Sequence, residues 1–577
     1  MKRFLYEKEI GRWILAGLGV LLIYILIYKF STVRFATNDD NTIINSIIYS
    51  SEQSGLGKKS FMYIHFLLGI PLSLLYKYIR NVPWYDLYSV LIVALSLIII
   101  WKAVIKECYK KGIGLISAVF ILSVMQIILF SIPIQQVQFT TTAGVIGTAA
   151  IVNYLCMEKK SGFWLTWLLV LLGFFQRAMV GYVILAFLLV LIVGDFILIL
   201  MKKKWSKESG IYLLIFLLLP VSVLALGRMD ENYRSQNEGS EEFQEYSALR
   251  VQYMDYGDRN YWDNSQIYKE AGWDEKLCVM VSCWYFMDER YNTENLEKIL
   301  SHFDKVEEEH INISEQVKSI WSELSETTVV KCILVLTLIL CLVYSEVQKS
   351  ILNNRWIFNL VILGVLAGCV VMILYLCLRG RLPLRVFMTI FMPVDLILAV
   401  INIQNWPSAK WKNLNKIVKR GGQAVSGIVI AVLCLSMAKG LFIPAVQDEQ
   451  QQERNRLIDM KQYVNAQKQN IYIYGDDLTG GEPIFYRTTE NTAYNCFFWG
   501  GTSMFSDMYY SYLEKNGLTE LHSQDWFRDN VYYLAMDDEK IAILGHYLND
   551  RYDNVVYDIV DSIGNIKVTK FVQEIDE

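Results

Sequence analysis

The constraint that dominates this 577-residue chain is a series of apolar runs, each close to twenty residues long. A helix needs about twenty residues to cross roughly 30 Å of hydrocarbon. The runs fall at Gly11 to Phe30, Leu87 to Val104, Ile113 to Ile132, Thr140 to Met157, Phe163 to Gln176, Ala178 to Met201 and Gly210 to Gly227. Four more follow at Val329 to Tyr344, Ile357 to Leu378, Val386 to Ile401 and Ala424 to Phe442. Phe61 to Ile79 is apolar but interrupted by His65, Gly69, Pro71 and Lys77, which makes it a weak crossing. The expected fold is an α-helical polytopic membrane bundle of about 11–13 spans. Lys2, Arg3, Lys8 and Arg12 precede the first run without a small-residue cleavage site, the pattern of a retained span.

Four regions follow: an N-terminal transmembrane module at 1–227 with a first external loop at 31–60, an insert at 228–327, a second transmembrane module at 328–443, and a soluble domain at 444–577. The insert is acidic and reads as helical over Tyr291 to His302 and Val306 to Leu324. In the last region, NIYIYG, NVYYLAM, NVVYDIV and NIKVTKF are β-rich runs between helical stretches, the pattern of a small α/β domain. A net charge of -4 excludes a nucleic-acid binder. The ten cysteines lack metal-ligand spacing; Cys278 and Cys283 could pair, although spacing alone says little.

Orientation follows from lysine and arginine bias. Loops with Lys102, Lys106, Lys110 and Lys111, with Lys159 and Lys160, with Lys202, Lys203, Lys204 and Lys207, and with Lys410, Lys412, Lys416, Lys419 and Arg420 belong inside. The acidic insert and the C-terminal domain then lie outside, with the multi-pass chain in the cell membrane. This count closes only if Phe61 to Ile79 is re-entrant or interfacial, or if one later loop breaks the rule. Ile43, Ile44, Ile47 and Ile48 form one face of a short helix, expected to lie flat on the membrane surface.

Asp39 and Asp40 follow directly on the first span. Asn38 and Asp39 can cap the next helix. Alternatively, one carboxylate takes the proton from an acceptor hydroxyl as it attacks an anomeric carbon. The other then orients it or, as Asp40, holds a divalent cation such as Mg or Mn beside a departing phosphate. Arg379, Arg381 and Arg385 form an external cluster that runs against the charge bias, which suits phosphate binding by forked guanidinium contacts. Ordinary cytoplasmic anchors are the other reading. Arg177, between two apolar runs, faces a cavity or snorkels to a headgroup. His65 is a substrate contact or a satisfied interior histidine, and Gln135 and Gln138 can hydrogen-bond sugar hydroxyls. Lys58 and Lys59 are lipid-phosphate contacts or solvated surface. Gly480–Gly481 and Gly500–Gly501 are turns without phosphate-loop spacing.

TNDD after the first span, HFLLGIPLSLLY followed by NVPWYDLY, QFTTTA and YNCFFWGG together resemble the GT-C superfamily of integral membrane glycosyltransferases, in particular bacterial multi-pass proteins of cell-surface polysaccharide loci. The resemblance implies a polyprenyl-phosphate sugar donor, a glycan or lipid-linked acceptor, work at the outer face of the bilayer and inversion at the anomeric carbon. It maps an essential acid of the first external loop to Asp39 or Asp40, and it expects the Phe61 segment to begin as a crossing helix. Tyr494, Trp499 and Trp526 are candidates to stack on sugar faces. The competing readings are a polymerase of lipid-linked repeat units, and a non-catalytic transporter or scaffold.

Overall fold

The computed structural model describes residues 2–55, 59–157, 161–201, 207–237, 241–255, 261–310, 313–348, 355–406, 428, 431–439, 444–478 and 482–574. Its helical part opens with α1 (Glu9–Phe30), the short strand β1 (Arg34–Phe35), α2 (Asp39–Glu52), α3 (Phe66–Tyr78), α4 (Trp84–Lys110) and α5 (Leu115–Gln135). Strand β2 (Gln136–Val137), α6 (Phe139–Cys156), α7 (Ser161–Gln176), α8 (Ala178–Met201) and α9 (Lys207–Asn237) follow. The insert contributes α10 (Glu241–Asp255), α11 (Ser265–Glu270), α12 (Glu275–Ser282), α13 (Thr293–His310) and α14 (Ile313–Glu326). Helices α15 (Thr328–Gln348), α16 (Arg355–Leu378) and α17 (Leu384–Gln404) complete the described bundle. Among the described residues, eight helices are long and apolar enough to cross a membrane, so the chain is a multi-pass membrane protein. Of the span expected at 424–442, residues 428 and 431–439 are described and are helical, while the lysines at 58, 159–160, 202–204 and 410–419 and the glycine pair at 480–481 lie outside the described residues.

The weak segment resolves in favour of an interfacial helix. Its helical part, α3, has 13 residues, or about 20 Å at 1.5 Å per residue, too short to span. Both of its ends also lie at the same end of the bundle. Beside its N-terminus, His65 N donates to Phe175 O at the end of α7, and past its C-terminus Thr489 N of the C-terminal domain donates to Arg80 O. The crossing start expected from the family resemblance is therefore corrected: His65 and Pro71 sit in a helix held by protein on its flanks. With α3 not crossing, the described basic stretch at 102–111 lies at the opposite end. There Lys102 Nζ lies 3.2 Å from Glu9 of α1 and Lys106 donates to Cys156 O.

A second correction concerns α2. Ile43, Ile44, Ile47 and Ile48 do not meet lipid; they are fully buried with Phe35, Ile64, Tyr85, Val137, Phe139 and Ile484. The periodicity of the face was read correctly, but protein from the N-terminal module and from Ile484 of the C-terminal domain covers it.

The soluble part comprises α18 (Pro444–Ala466), β3 (Ile471–Tyr474), β4 (Cys496–Phe498), α19 (Asp507–Lys515), β5 (Val531–Ala535), α20 (Asp538–Tyr552), β6 (Val555–Ile563) and β7 (Ile566–Gln573). The five strands form one sheet in the order β4-β3-β5-β7-β6. β3 pairs parallel to β4 and β5, while β7 runs antiparallel to β5 and β6. Four strands match the β-rich runs, and β4 was hidden in the aromatic stretch YNCFFWGG. The insert is no separate body. Its Trp273, Tyr285, Phe286 and Tyr291 share a core with Trp499, Trp526 and Tyr533 of the sheet domain. Phe286 N donates to Trp499 O and Trp499 Nε1 to Cys283 O, both at 3.0 Å. Cys278 and Cys283 are both free thiols.

Gly500 marks the closest approach of the two parts: a Cβ there would stand 1.8 Å from Trp284 O. Gly500→Ala is expected to destabilise this joint body by about 2 kcal/mol or more, as overpacking against backbone does. The loss is read as a lowered midpoint of thermal unfolding followed by tryptophan fluorescence.

Candidate active site

The loop 31–38 leaves α1 and meets the other end-of-bundle segments at once. β1 pairs parallel with β2. Phe35 N donates to Glu482 O at 3.0 Å, and Ala36 N to Val137 O at 2.9 Å. This places the start of α2 beside the start of α6 and beneath the C-terminal domain. Asn38 precedes α2, but its side chain does not cap that helix; its Oδ1 accepts from Asn41 Nδ2 at 2.7 Å. The capping reading of Asn38 and Asp39 is thus corrected, because a neighbouring amide occupies the oxygen.

Successive residues of a helix point about 100° apart, so the two aspartates separate. Asp40 turns inward and is fully buried. Its Oδ1 accepts from Tyr85 Oη at 2.9 Å and from Phe139 N at 3.1 Å. It therefore satisfies a free N–H at the start of α6, a helix 99 residues further along the chain. Burial pushes its carboxyl well above the ordinary range, and the neighbouring Asp39 charge adds to this. Gln138, expected among the sugar contacts, also caps α6: its Oε1 accepts from Thr140 N at 2.7 Å and Thr141 N at 3.2 Å. Gln135 is buried at the end of α5.

His65 is likewise a cap, of α3. Its Nδ1 accepts from Leu67 N at 3.1 Å and its Nε2 faces Leu226 O at 3.0 Å. A ring whose Nδ1 accepts from a backbone N–H and whose Nε2 meets a carbonyl is the neutral Nε2–H tautomer. Burial also lowers its pKa. The ring packs among Phe66, Phe174 and Phe175 and is accounted for by structure.

Asp39 turns outward. Thr37 Oγ1 donates to its Oδ2 at 3.3 Å, and Arg385 Nη2 lies 3.9 Å from the same oxygen. Arg177 is beside them, its guanidinium 5.0 Å from the Phe139 ring and 5.6 Å from that of Tyr63. Desolvation lowers its pKa, and the charges of Asp39, Arg385 and Arg234 act on it. Among the described residues no hydrogen-bond acceptor is found for the Arg177 side chain, unlike Arg234, which is bonded to Asp230 and to Ile64 O. The RGRLPLR cluster divides: Arg385 reaches Asp39, Arg381 pairs with Asp255 of α10 at 2.5 Å, and Arg379 is exposed over Tyr375.

Sequence reasoning missed two members of this neighbourhood. Arg250, a lone base in the acid-rich EEFQEYSALRVQYMD helix, is only 3% exposed and its Nε has no partner. Its guanidinium lies 5.9 Å from the Trp284 ring. Tyr63 adopts φ +64°, a left-handed conformation uncommon for a bulky residue, and its ring stacks on Phe139 at 5.4 Å. The fields of Asp39, Arg177 and Arg250 all act on its hydroxyl. Nothing in local spacing ties these residues to Asp39.

Asp39 also stands on the wall of a cleft of about 610 Å³. One face of α2, with Asn41, Thr42 and Asn45, forms one side, and Tyr474, Glu482, Arg487, Tyr509 and Tyr512 of the C-terminal domain form the other. Of the stacking candidates, Trp499 and Trp526 are core residues, and Tyr494 donates to Glu52 at 2.6 Å.

No protein-family model matches the chain, and no curated protein does. Among solved structures it is similar to the crystal structure of ArnT from Cupriavidus metallidurans bound to undecaprenyl phosphate. The two are 10% identical over 97% of this chain and 98% of that one, with a TM-score of 0.48.

The two aspartates are expected to separate by mutation. Asp40→Asn keeps an acceptor for Tyr85 and Phe139, whereas Asp40→Leu leaves both donors unpaired and is expected to lose about 2 kcal/mol or more. Because the folded pKa of Asp40 is raised, its contribution to stability is full below its ordinary pKa and is lost as the pH climbs through the folded value. Asp40→Asn should therefore flatten that part of the stability–pH curve and match or exceed the parent near neutrality. Thermal melts from pH 4 to pH 9 check this.

Proposed function

We propose that this protein is a membrane glycosyltransferase of the GT-C type, moving a sugar from a polyprenyl-phosphate donor to a glycan or lipid-linked acceptor. The observation that carries the reading is Asp39, a carboxylate on the wall of a polar cleft and 3.9 Å from an arginine. A second arginine close by, Arg177, is half-buried against two aromatic rings. In this reading Asp39 takes the proton of the acceptor hydroxyl as its oxygen bonds to the anomeric carbon. The bond from that carbon to the phosphate oxygen breaks, and its electron pair leaves with the phosphate. Arg177 and Arg385 hold the charge that develops there through charge-assisted contacts. A single displacement of this kind inverts the anomeric centre. Asp40 is a positioning residue that fixes α2 against α6, and it drops out of the chemical step.

The residues present do not fit a resident Mg or Mn ion. Among the described residues no three His, Cys, Asp or Glu side chains converge. One oxygen of Asp40 is committed to Tyr85 and Phe139, and Asp39 has an arginine beside it. In this reading the arginines supply the positive charge.

Activity is tested by incubating purified protein in bilayer nanodiscs with polyprenyl-phosphate sugar and following loss of the donor. Asp39→Asn is expected to lower kcat by about 10²–10⁴, the span of a general base. Asp40→Asn is expected to retain most activity, and EDTA to leave the rate unchanged. Arg177→Ala and Arg385→Ala are expected to reduce kcat/KM at least tenfold, and Arg379→Ala by less than threefold. Full activity in Asp39→Asn removes the proposed base.

Positive charge at the far end of the bundle supports an outer-face site. Single cysteines at exposed Ser54 and Ser562 should both react with a membrane-impermeant thiol reagent in intact cells. Protection of either one contradicts that orientation.

A further inference from the structure

The cleft beside Asp39 carries more information than its shape. Three of its lining side chains are at least nine-tenths buried and each has a polar atom without a partner: Asn41 Oδ1, Glu482 Oε2 and Tyr509 Oη. A buried polar atom left unpaired costs about 1–3 kcal/mol, so three facing one cleft, one from α2 and two from the C-terminal domain, are an unusual concentration. Two of them, an amide oxygen and a carboxylate oxygen, can only accept. What completes them must bring donors, and the carboxylate disfavours an anion.

The rest of the wall agrees. Asn41, Thr42 and Asn45 are presented by one face of α2, and opposite them stand the rings of Tyr474, Phe498, Tyr509 and Tyr512. Amphipathic rings beside amides and hydroxyls are the surface that a sugar ring fits, with an apolar face to stack and a rim of hydroxyls to share. Glu482 is itself held still by Lys461 and Arg487, which both bond its other oxygen, Oε1. Its free oxygen is therefore fixed in place, and Arg487 in turn donates to Asn45 of α2.

We propose that this cleft is the acceptor subsite and that it takes an uncharged, polyhydroxylated saccharide, whose hydroxyls donate to Asn41 Oδ1 and Glu482 Oε2 and meet Tyr509 Oη. This deepens the transferase reading and rests on it, for only there does the bound saccharide become an acceptor. One saccharide hydroxyl at the Asp39 end is the group that loses its proton, and the others orient it.

The test measures saccharide binding in the absence of donor, so that it stands apart from the transfer assay. The probes are cellotriose and chitotriose, titrated against the full-length protein in nanodiscs and followed by intrinsic tryptophan fluorescence, since Trp284 lines the cleft. Tyr509→Phe and Asn41→Ala each remove one unpartnered atom. Tyr509→Phe is expected to leave the melting temperature unchanged or raised, because it deletes a buried hydroxyl that the fold does not use. Both variants are expected to weaken binding of at least one trisaccharide fivefold or more. Such a fall with an intact fold supports the subsite whatever the donor assay shows. Absence of binding by both trisaccharides, or binding unaltered in both variants, overturns it, while loss of transfer with binding retained counts against the transferase alone.

Discussion

Where the first helix leaves the bundle, the chain must satisfy free backbone groups from several elements in a space closed to water. A buried carboxylate does much of this. Asp40 binds the first N–H of α6 and the hydroxyl of Tyr85, which also receives Gln176 at the end of α7. Four elements are thereby tied at one point: α2, α4, α6 and α7. Removing one partner of such a network is expensive because the others stay buried. The position of Asp39 is a consequence: one residue earlier on the same helix, it is rotated out of the network toward the cleft and Arg385.

The C-terminal domain extends this anchorage. Phe485 N donates to Asp86 at the start of α4, and Arg34 lies 2.6 Å from Glu453. Lys515 pairs with Glu52 at the end of α2. These contacts come from distant parts of the sequence, yet all meet the 31–60 loop or the start of α4. The exposed pairs contribute little stability singly. Their effect is geometric, holding the wall that carries Glu482 and Tyr509 against the helix that carries Asp39. The acidic insert joins the same body through its aromatic core and brings Arg250 and Trp284 toward it.

Several of the candidate site residues make structural contacts of one kind. His65, Gln138 and Asp40 are all polar residues at the starts of helices or beside them, and each accepts from a free backbone N–H. Capping and catalysis draw on the same residue types, and a single sequence does not distinguish them. Asp39 and Arg385 are the pair that the sequence named and the fold brought together, 346 residues apart in the chain. Arg177 joins them by stacking on rings that no local pattern links to it.

The sequence by itself determined the membrane-spanning helices and four of the five strands of the C-terminal domain, and it left the Phe61 segment open between crossing and lying at the surface. Hydrophobic length and residue alternation are local properties, which the order of residues carries directly. Tertiary structure decided which aspartate faces solvent, which arginines turn toward it, and that the insert and the sheet domain share one core. Those outcomes depend on helix rotation and on contacts between segments hundreds of residues apart, and packing, not spacing, sets both.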